Sequence, residues 1–208
     1  MTQLFLIRHG HNDWADRKLA GWTPDVHLNE VGRDQSEALV QRLAPVEFDA
    51  IYSSPLERAL ETAAPLARAC ELKVTRLAGI GEVRYGDWQG KTLRQLSKKK
   101  EWAVVQHAPS AWRFPNGESM REMQARAVTA VEHVAARHPK GTVALFSHGD
   151  VIKAIVAHLI GLPLDMFQRL AIAPASVTVL GWGRFGARLL RLNDTGPFQA
   201  SPKNGHKK

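Results

Sequence analysis

Short apolar runs alternate along this chain with longer stretches of helical period, and this alternation constrains its fold more than any other feature. The runs at 4–7, 50–52 and 143–146 have the length and composition of buried strands. The run at 143–146 is apolar at every position, which is typical of a central strand that is covered on both faces. Strands separated by helices predict a mostly parallel sheet. We therefore expect an α/β fold, a single-domain three-layer αβα sandwich.

Capping and breaking residues predict where several helices begin and end. Asn29 is a good N-cap, and the helix that it starts should end before Pro45. Pro55 suits the first turn of a second helix, which continues to Leu66. Gly161 should end another helix, because glycine readily adopts the left-handed conformation that closes helices. That helix spans 151–159, the remaining predicted helices span 92–106 and 118–137, and the remaining predicted strands span 74–77, 177–180 and 189–192.

Length and charge limit the organisation and the partners of the chain. Its 208 residues suffice for one domain with a sizeable core, whereas two full domains would be cramped. We place the domain at residues 1–195 and expect a disordered basic tail at 196–208. The formal net charge is +8, but the cations are spread along the chain except at 98–100 and in the tail. This balance favours anionic small molecules as ligands, and we do not expect nucleic acid as the main partner.

Three further observations concern the compartment. No apolar run approaches the roughly 20 residues of a membrane-spanning helix, so no membrane partner is expected. The apolar start of the chain runs directly into Arg8 and His9, which indicates a buried strand instead of a signal peptide. Cys70 is the only cysteine, so no intramolecular disulfide can form. We expect a cytoplasmic protein, and the sequence is compatible with a homodimer.

Two of the predicted strands end in a His-Gly pair. His9 and Gly10 follow the run at 4–7, and His148 and Gly149 follow the run at 143–146. Ligands of open α/β sheets bind outside the carboxyl ends of the strands, and glycine allows the backbone to approach a ligand closely. A single histidine at a strand end would more often be structural. Two of them predict a functional site, because a neutral imidazole is a competent nucleophile at neutral pH.

Two arginines complete a site that suits phosphoryl transfer. Arg8 precedes the first histidine, and Arg58 lies in the first turn of the helix that follows the strand at 50–52. Phosphoryl transfer requires mainly positioning and cations around the transferring oxygens, which the guanidinium group provides with a fixed fork of donors. Taken alone, Arg58 would be read as a surface arginine. It is a candidate phosphate-binding residue because it lies beside a second strand end and a helix N-terminus.

A proton donor for the leaving group is the remaining requirement. Glu82 lies in a segment dense in glycine and aromatic residues, 81–90, that is predicted to be a loop. A carboxyl group beside an apolar wall keeps a raised pKa and can act first as an acid and then as a base. A loop glutamate is usually solvated, so Glu82 gains its role only together with the two histidines and the two arginines.

The segments that carry these residues resemble the histidine phosphatase superfamily, in its phosphoglycerate mutase-like branch. These segments span 6–10, 21–32, 53–63, 82–90 and 147–149. Gly117-Glu118-Ser119 also looks like the family's Gly-Glu-Ser before its long helix. One such segment would be weak evidence, whereas five in the family order are specific. The match covers nearly the whole chain, from residue 8 to about residue 193.

The resemblance implies a role for each residue. It implies a phosphohistidine at His9, protonation of the leaving group by Glu82, no metal ion and no cofactor. The implied substrate is a small-molecule phosphate ester. The implied catalytic residues are His9, Glu82, His148, Arg8 and Arg58, and the implied substrate-binding residues are Arg8, Asn12, Gly21, Arg58, His148 and Gly149.

Departures from the family pattern favour a phosphatase over a mutase. The family often has Glu and then Thr or Ser after Arg-His-Gly, where this chain has His11 and Asn12, and mutases commonly have Asn at the place of Ala15. The stretch at 90–117 is also short for a cofactor-dependent mutase. We expect a metal-independent phosphomonoester hydrolase. The alternatives are a 2,3-bisphosphoglycerate-dependent phosphoglycerate mutase and a non-catalytic module that binds phosphate groups or RNA.

Other sequence features suggest alternative functions, but the evidence for each of them is weaker. The spaced glycines at 181–186 match a dinucleotide-binding fingerprint, but a strand-like segment follows them, so we predict a hairpin turn. A metal site built from His9, His148 and Glu82 is disfavoured by the two neighbouring arginines. The tryptophans could stack on nucleobases, but we expect them to pack as a lid over the pocket mouth. They are Trp14, Trp22, Trp88, Trp102 and Trp112. Specificity should come from the segments at 14–28 and 90–117.

Overall fold

A six-stranded mixed sheet forms the centre of the computed structural model, which describes residues 1–196. Residues 197–208, which make up nearly all of the predicted basic tail, lie outside the described residues. The strand order is β3-β2-β4-β1-β5-β6. The strands are β1 (Thr2–Arg8), β2 (Ala50–Ser53), β3 (Val74–Arg76), β4 (Thr142–Ser147), β5 (Val177–Gly183) and β6 (Gly186–Asp194).

The sheet is mostly parallel, as predicted. The first four strands in this order pair in parallel, and β5 runs antiparallel to both of its neighbours. The chain leaves β1 towards β2 on one side and leaves β4 towards β5 on the other side. The sheet therefore has a topological switch point between β1 and β4, and the carboxyl ends of these two strands are where a ligand is expected to bind.

Helices cover both faces of the sheet, which confirms the three-layer sandwich. Leu4 and Leu6 of β1 pack in one core with the helices of one face, and Phe5 and Ile7 pack in a second core with those of the other. This division follows from the strand period of two. The helices are α1 (Glu30–Leu43), α2 (Glu57–Ala69), α3 (Leu93–Leu96), α4 (Lys100–His107), α5 (Met120–Arg137) and α6 (Gly149–Leu159). The first core contains residues of α5 and α6, and the second contains residues of α1 and α2.

The N-cap prediction for α1 is confirmed, and two other boundary predictions are wrong. Asn29 Oδ1 accepts a hydrogen bond from the Gly32 amide at 3.0 Å. Helix α2 begins at Glu57, so Pro55 precedes the helix and does not form its first turn. The stretch at 92–106 is two helices, because the chain returns to an extended conformation at Lys99 before α4 begins.

The carboxyl-terminal hairpin is also confirmed. Strands β5 and β6 pair in antiparallel fashion around Gly183 and Gly186, where the dinucleotide-like glycines lie. Within residues 1–196, no helix has the length and apolar character needed to cross a membrane.

Candidate active site

The five residues predicted to be catalytic lie together at the carboxyl edge of the sheet. A pocket of about 310 Å³ opens there, and four of the five, Arg8, His9, Arg58 and Glu82, line it. The fifth, His148, is buried against His9, with the two ring centroids 5.2 Å apart. Arg8 and His9 come from the end of β1, and Arg58, Glu82 and His148 lie in the segments that follow β2, β3 and β4. The fold thus brings together residues that are up to 140 positions apart in the chain.

The tautomer of His9 is fixed by the backbone. Its Nδ1 lies 2.7 Å from the Gly10 carbonyl oxygen, which can only accept, so Nδ1 carries the ring proton. The remaining nitrogen, Nε2, keeps its lone pair. The side chain is buried, and burial together with the charges of Arg58 and Arg8 lowers the pKa of His9 well below its usual range. His9 is therefore a neutral imidazole at physiological pH, and the lone pair of Nε2 is chemically able to act as a nucleophile.

The glycines after the two histidines serve packing. A Cβ on Gly10 would lie 2.6 Å from the Gly32 carbonyl oxygen of α1, so Gly10 lets the His9 turn lie against that helix. The Gly10 amide donates to Thr62 Oγ1 at 2.9 Å, which engages it within the protein. A Cβ on Gly149 would lie 3.3 Å from Arg8 Nε, so Gly149 makes room for the arginine. The predicted reason, close approach to a ligand, does not apply to Gly10.

Arg8 and Arg58 each keep a buried N–H group without an acceptor. Arg8 Nη1 donates to the Ile172 carbonyl at 2.7 Å, and Arg58 Nη2 donates to the Gly21 carbonyl at 3.0 Å. Arg8 Nε and Arg58 Nη1 are buried and have no hydrogen-bond partner among the described residues. Since a buried charged donor without a partner is costly, this pair indicates a site for an anion.

His148 is held from both sides. Arg58 Nη2, which can only donate, lies 3.3 Å from His148 Nδ1, so the ring proton resides on Nε2 and is donated to Ser54 Oγ at 2.8 Å. His148 is fully buried, and burial together with the charge of Arg58 lowers its pKa well below its usual range. Glu82 Oε2 lies 3.8 Å from His148 Nδ1. Because the imidazole is neutral, this contact is not an ion pair.

Glu82 has the raised pKa that a proton donor requires. Its burial, and next the charge of Asp150, raise its pKa to about 7, although Arg58 and the hydrogen bond from the Val83 amide act in the opposite direction. The carboxyl group is thus divided between its acid and base forms near neutral pH. Its side chain is 13% exposed and faces the same pocket as His9.

The three predicted substrate-binding residues outside the catalytic set differ in position. Asn12 lines the pocket, but its Oδ1 accepts from the Trp14 and Ala15 amides, so only its Nδ2 can donate to a ligand. Gly149 lines the pocket as the first residue of α6. Gly21 does not line the pocket, and its carbonyl instead holds Arg58.

The tryptophan prediction is only partly correct. Trp14 and Trp102 line the pocket mouth. Trp88 is buried in an aromatic cluster with Trp112 behind this wall, with ring centroids 5.1 Å apart. Trp22 donates from its indole nitrogen to the Glu82 carbonyl at 2.6 Å. These three side chains pack or hold the walls and do not cover the opening.

The outer part of the pocket contains charges that the sequence did not single out. Lys153 of α6 lines the mouth, where its Nζ donates to Gln168 at 2.9 Å and lies 3.5 Å from Asp150. Lys18 lies on the wall formed by the 14–20 segment. Both predicted specificity segments contribute to the mouth, and α6 adds a third wall.

Two side chains that hold the site residues in place were not predicted from the sequence. Ser54 orients His148, and Arg126 holds the backbone of the Glu82 loop. Ser54 lies within a segment that carries the resemblance, so proximity to Arg58 was an available signal. Arg126 gave no such signal. Among residues 1–196, no group of three or more His, Cys, Asp or Glu side chains is arranged to hold a metal ion.

Comparison with known proteins agrees with this geometry. The family model of the histidine phosphatase superfamily (branch 1) matches residues 4–195. Phosphoserine phosphatase 1 of Hydrogenobacter thermophilus is 30% identical over 200 residues, which are 94% of this chain and 93% of that protein. Phosphoglycerate mutase-like protein 4 of Arabidopsis thaliana is 31% identical over 160 residues, covering 74% of this chain and 69% of that protein. A mycobacterial glucosyl-3-phosphoglycerate phosphatase in complex with VO3 has a TM-score of 0.83 at 30% identity, covering 93% of this chain and 99% of that chain.

Proposed function

Since the chain belongs to the histidine phosphatase superfamily and is a phosphatase, we propose that His9 takes the phosphoryl group of its substrate. The observation that carries this proposal is the pair of buried, unpartnered N–H groups of Arg8 and Arg58 beside a neutral imidazole. An anion bound between them would satisfy both donors. Its phosphorus would then lie within reach of the free His9 Nε2.

In the first step, the lone pair of His9 Nε2 forms a bond to phosphorus while the bond from phosphorus to the ester oxygen breaks. Protonated Glu82 gives its proton to the leaving oxygen, and an alcohol departs. The imidazole becomes positively charged, and its Nδ1 proton stays bonded to the Gly10 carbonyl. Arg8 and Arg58 stabilise the charge on the transferring oxygens. A bound dianion also favours the protonated form of His148, which then adds a donor.

In the second step, water attacks phosphorus and the N–P bond breaks. The Glu82 carboxylate formed in the first step accepts the proton of the water, which returns it to the acid form. Inorganic phosphate leaves, and His9 is neutral again. The reaction requires no metal ion, because the arginines supply the positive charge, and they also disfavour a divalent cation beside them.

A trapping experiment with His9→Ala tests the proposal. Wild-type protein incubated with a ³²P-labelled phosphate ester and quenched in base should carry an acid-labile phosphoryl group, and His9→Ala should carry none. His133→Ala, which changes an exposed histidine of α5, is the matched control and should label like the wild type. Turnover of a chromogenic ester should persist in EDTA. Continued hydrolysis by His9→Ala, or complete loss of turnover on chelation, would refute the proposal.

The substrate that we propose is a small-molecule phosphate monoester. The pocket of about 310 Å³ accepts a small metabolite, and its mouth carries Lys18 and Lys153 beside Asp150. Two of the three relatives named above are phosphatases, of phosphoserine and of glucosyl-3-phosphoglycerate, so both compounds belong in the substrate panel. We propose the cytoplasm as the location, because a single cysteine cannot form an intramolecular disulfide. The homodimer stays a prediction that light scattering can check.

Mutase activity is the second candidate, favoured by the similarity to a phosphoglycerate mutase-like protein. In that reaction the phosphoryl group on His9 returns to a second hydroxyl instead of passing to water. Conversion of 3-phosphoglycerate to 2-phosphoglycerate with a trace of bisphosphoglycerate would distinguish the two. Salt-sensitive RNA binding without any esterase activity would favour a binding module instead.

A further inference from the structure

Arg126 of α5 lies outside the pocket, yet its guanidinium group is bonded to the loop that carries Glu82. Its Nη1 donates to the carbonyl oxygens of Gly79 at 2.8 Å and Gly81 at 2.9 Å. Its Nη2 donates to the carbonyl oxygen of Glu82 itself at 2.8 Å. Three carbonyl groups of one short loop thus converge on a single side chain.

The rest of this guanidinium group is paired with Glu118. Arg126 Nε donates to Glu118 Oε2 at 2.9 Å, and Nη2 donates to Oε1 at 2.6 Å, which is a bidentate pair. All five N–H donors of Arg126 therefore have acceptors. Glu118 Oε1 also accepts from the Arg84 amide at 2.8 Å, so the pair holds the backbone on both sides of Glu82.

Other contacts also hold this loop: Ser147 Oγ donates to the Ile80 carbonyl at 2.7 Å, and the side chains of Ile80 and Val83 are fully buried. These contacts are made by the residues on either side of Glu82. The Val83 amide bonds the carboxyl from within the loop, and the Trp22 indole shares the Glu82 carbonyl with Arg126. Without a cation, the carbonyl dipoles of Gly79, Gly81 and Glu82 would point at one another. A shift of the backbone by about 1 Å would move the carboxyl group away from the leaving oxygen, and displacements of that size are costly in catalysis.

We propose that Arg126, fixed by Glu118, is the positioning residue for proton donation by Glu82. The inference rests on the proposed function, because it assumes that Glu82 protonates the leaving group. It predicts a defect that depends on the leaving group. An alkyl phosphate needs the proton, whereas a nitrophenyl phosphate releases a stable phenolate without it.

The test compares kcat/KM for phosphoserine with kcat/KM for p-nitrophenyl phosphate. This parameter reports the steps up to release of the leaving group, so the later use of Glu82 as a base does not affect it. Arg126→Lys keeps the charge but loses the fork, and we expect a fall of about 10–100-fold with the alkyl ester and less than about threefold with the aryl ester. Glu118→Gln should act in the same direction. Arg121→Lys, which alters another carbonyl-bonded arginine of α5, should change neither rate.

The outcomes separate this inference from the proposed function. Glu82→Gln is the reference: if it lowers both rates equally, proton donation by Glu82 is wrong and the proposed function needs revision. If Glu82→Gln shows the leaving-group effect but Arg126→Lys lowers both rates equally, Arg126 is only structural and the inference is overturned. Unchanged rates in Arg126→Lys would overturn it as well. Melting temperatures of all variants identify any loss that results from unfolding.

Discussion

Arg58 on the pocket floor and Arg126 behind the Glu82 loop are both largely buried, but their guanidinium groups are used in opposite ways. Arg58 is 1% exposed and leaves Nη1 without an acceptor among the described residues. Arg126 is bonded through every one of its donors. The first arginine is incomplete without an anion, whereas the second is complete within the protein.

This difference teaches how to separate a binding group from a scaffold group of the same chemical type. A buried charged donor without an acceptor costs roughly 1–3 kcal/mol or more, so a fold retains one only where a ligand offsets the cost. A fully paired arginine stabilises the local backbone and offers nothing to a ligand. The comparison predicts that ligand binding depends on Arg58 and loop geometry depends on Arg126.

Removing Arg58 gives the largest expected effect of these predictions. Arg58→Met should lower kcat/KM for every phosphate ester by about 10³-fold, irrespective of the leaving group, because a donor to the transferring oxygens is lost. Inorganic phosphate should raise the melting temperature of the wild type but not of this variant, which differential scanning calorimetry measures. Arg58→Lys serves as a second variant that keeps the positive charge.

The control for Arg58 lies on the same helix. Arg68 of α2 is exposed and pairs with Glu37 at 3.3 Å, so Arg68→Ala should keep both the activity and the response to phosphate. If phosphate raises the melting temperature of Arg58→Met as much as that of the wild type, the proposed difference between the two arginines is wrong. Arg58 would then be a scaffold residue like Arg126.

The pH dependence of kcat/KM should distinguish His9 on the pocket floor from Glu82 on its loop. The pKa of Glu82 is raised to about 7, and only its protonated form donates, so kcat/KM for an alkyl ester should fall about tenfold per pH unit above pH 7. The pKa of His9 is lowered, so the nucleophile stays neutral well below pH 6.5 and does not limit the rate there. The p-nitrophenyl ester should lack the alkaline decline. A decline shared by both esters would contradict the role of Glu82 as the acid.

The pocket floor was predictable from the sequence because each of its residues follows a strand end in a short local motif. The apolar runs before His9 and His148 identify two strand ends, and parallel strands bring their carboxyl ends to one edge. Arg58 and Glu82 were found in the same way, through segments that resemble a family. Local sequence fixes such positions, so one sequence suffices to predict them.

The support of the Glu82 loop was not predictable, because it depends on tertiary packing. Arg126 lies 44 positions after Glu82, and in sequence it is one arginine among several on an amphipathic helix. The prediction that all five tryptophans cover the pocket mouth was partly wrong for the same reason. Composition cannot distinguish Trp14 at the pocket mouth from buried Trp88. The break within 92–106 was missed because that stretch has only a weak apolar pattern.

A buried ionisable group in the pocket should lower the stability of the protein when no ligand is bound. The melting temperature of a Glu82→Gln variant tests this for Glu82. The folded state raises the pKa of Glu82 from 4.5 to about 7, so it binds more protons than the unfolded chain, and stability falls as the pH rises through this window. Above pH 7 the cost is at most about 3 kcal/mol. Glu82→Gln should therefore melt a few degrees higher than the wild type at pH 8 and at nearly the same temperature at pH 5.

Glu122 is the control for that experiment, because its pKa is shifted in the opposite direction. The pKa of Glu122 is lowered by its hydrogen bonds with Arg113 and the Ser119 amide at the start of α5. Glu122→Gln should therefore lower the melting temperature at pH 8, or leave it unchanged. If Glu82→Gln also lowers the melting temperature at pH 8, the carboxylate at position 82 is not a cost to the fold.

The smallest expected effect concerns the mouth of the pocket, where the charges are paired and partly solvated. Lys153 is 17% exposed and lies near Asp150, so its contribution to an anionic ligand is screened. Lys153→Met should raise KM for phosphoserine about three- to tenfold, because Asp150 then faces the substrate carboxylate unbalanced, with kcat nearly unchanged. The KM for p-nitrophenyl phosphate, which has no carboxylate, should change less than about twofold. Steady-state kinetics at low and high salt measure both values, and the phosphoserine effect should shrink as salt rises. A loss of kcat with both esters would instead place Lys153 with Arg58, among the groups that act on the transferring phosphoryl group.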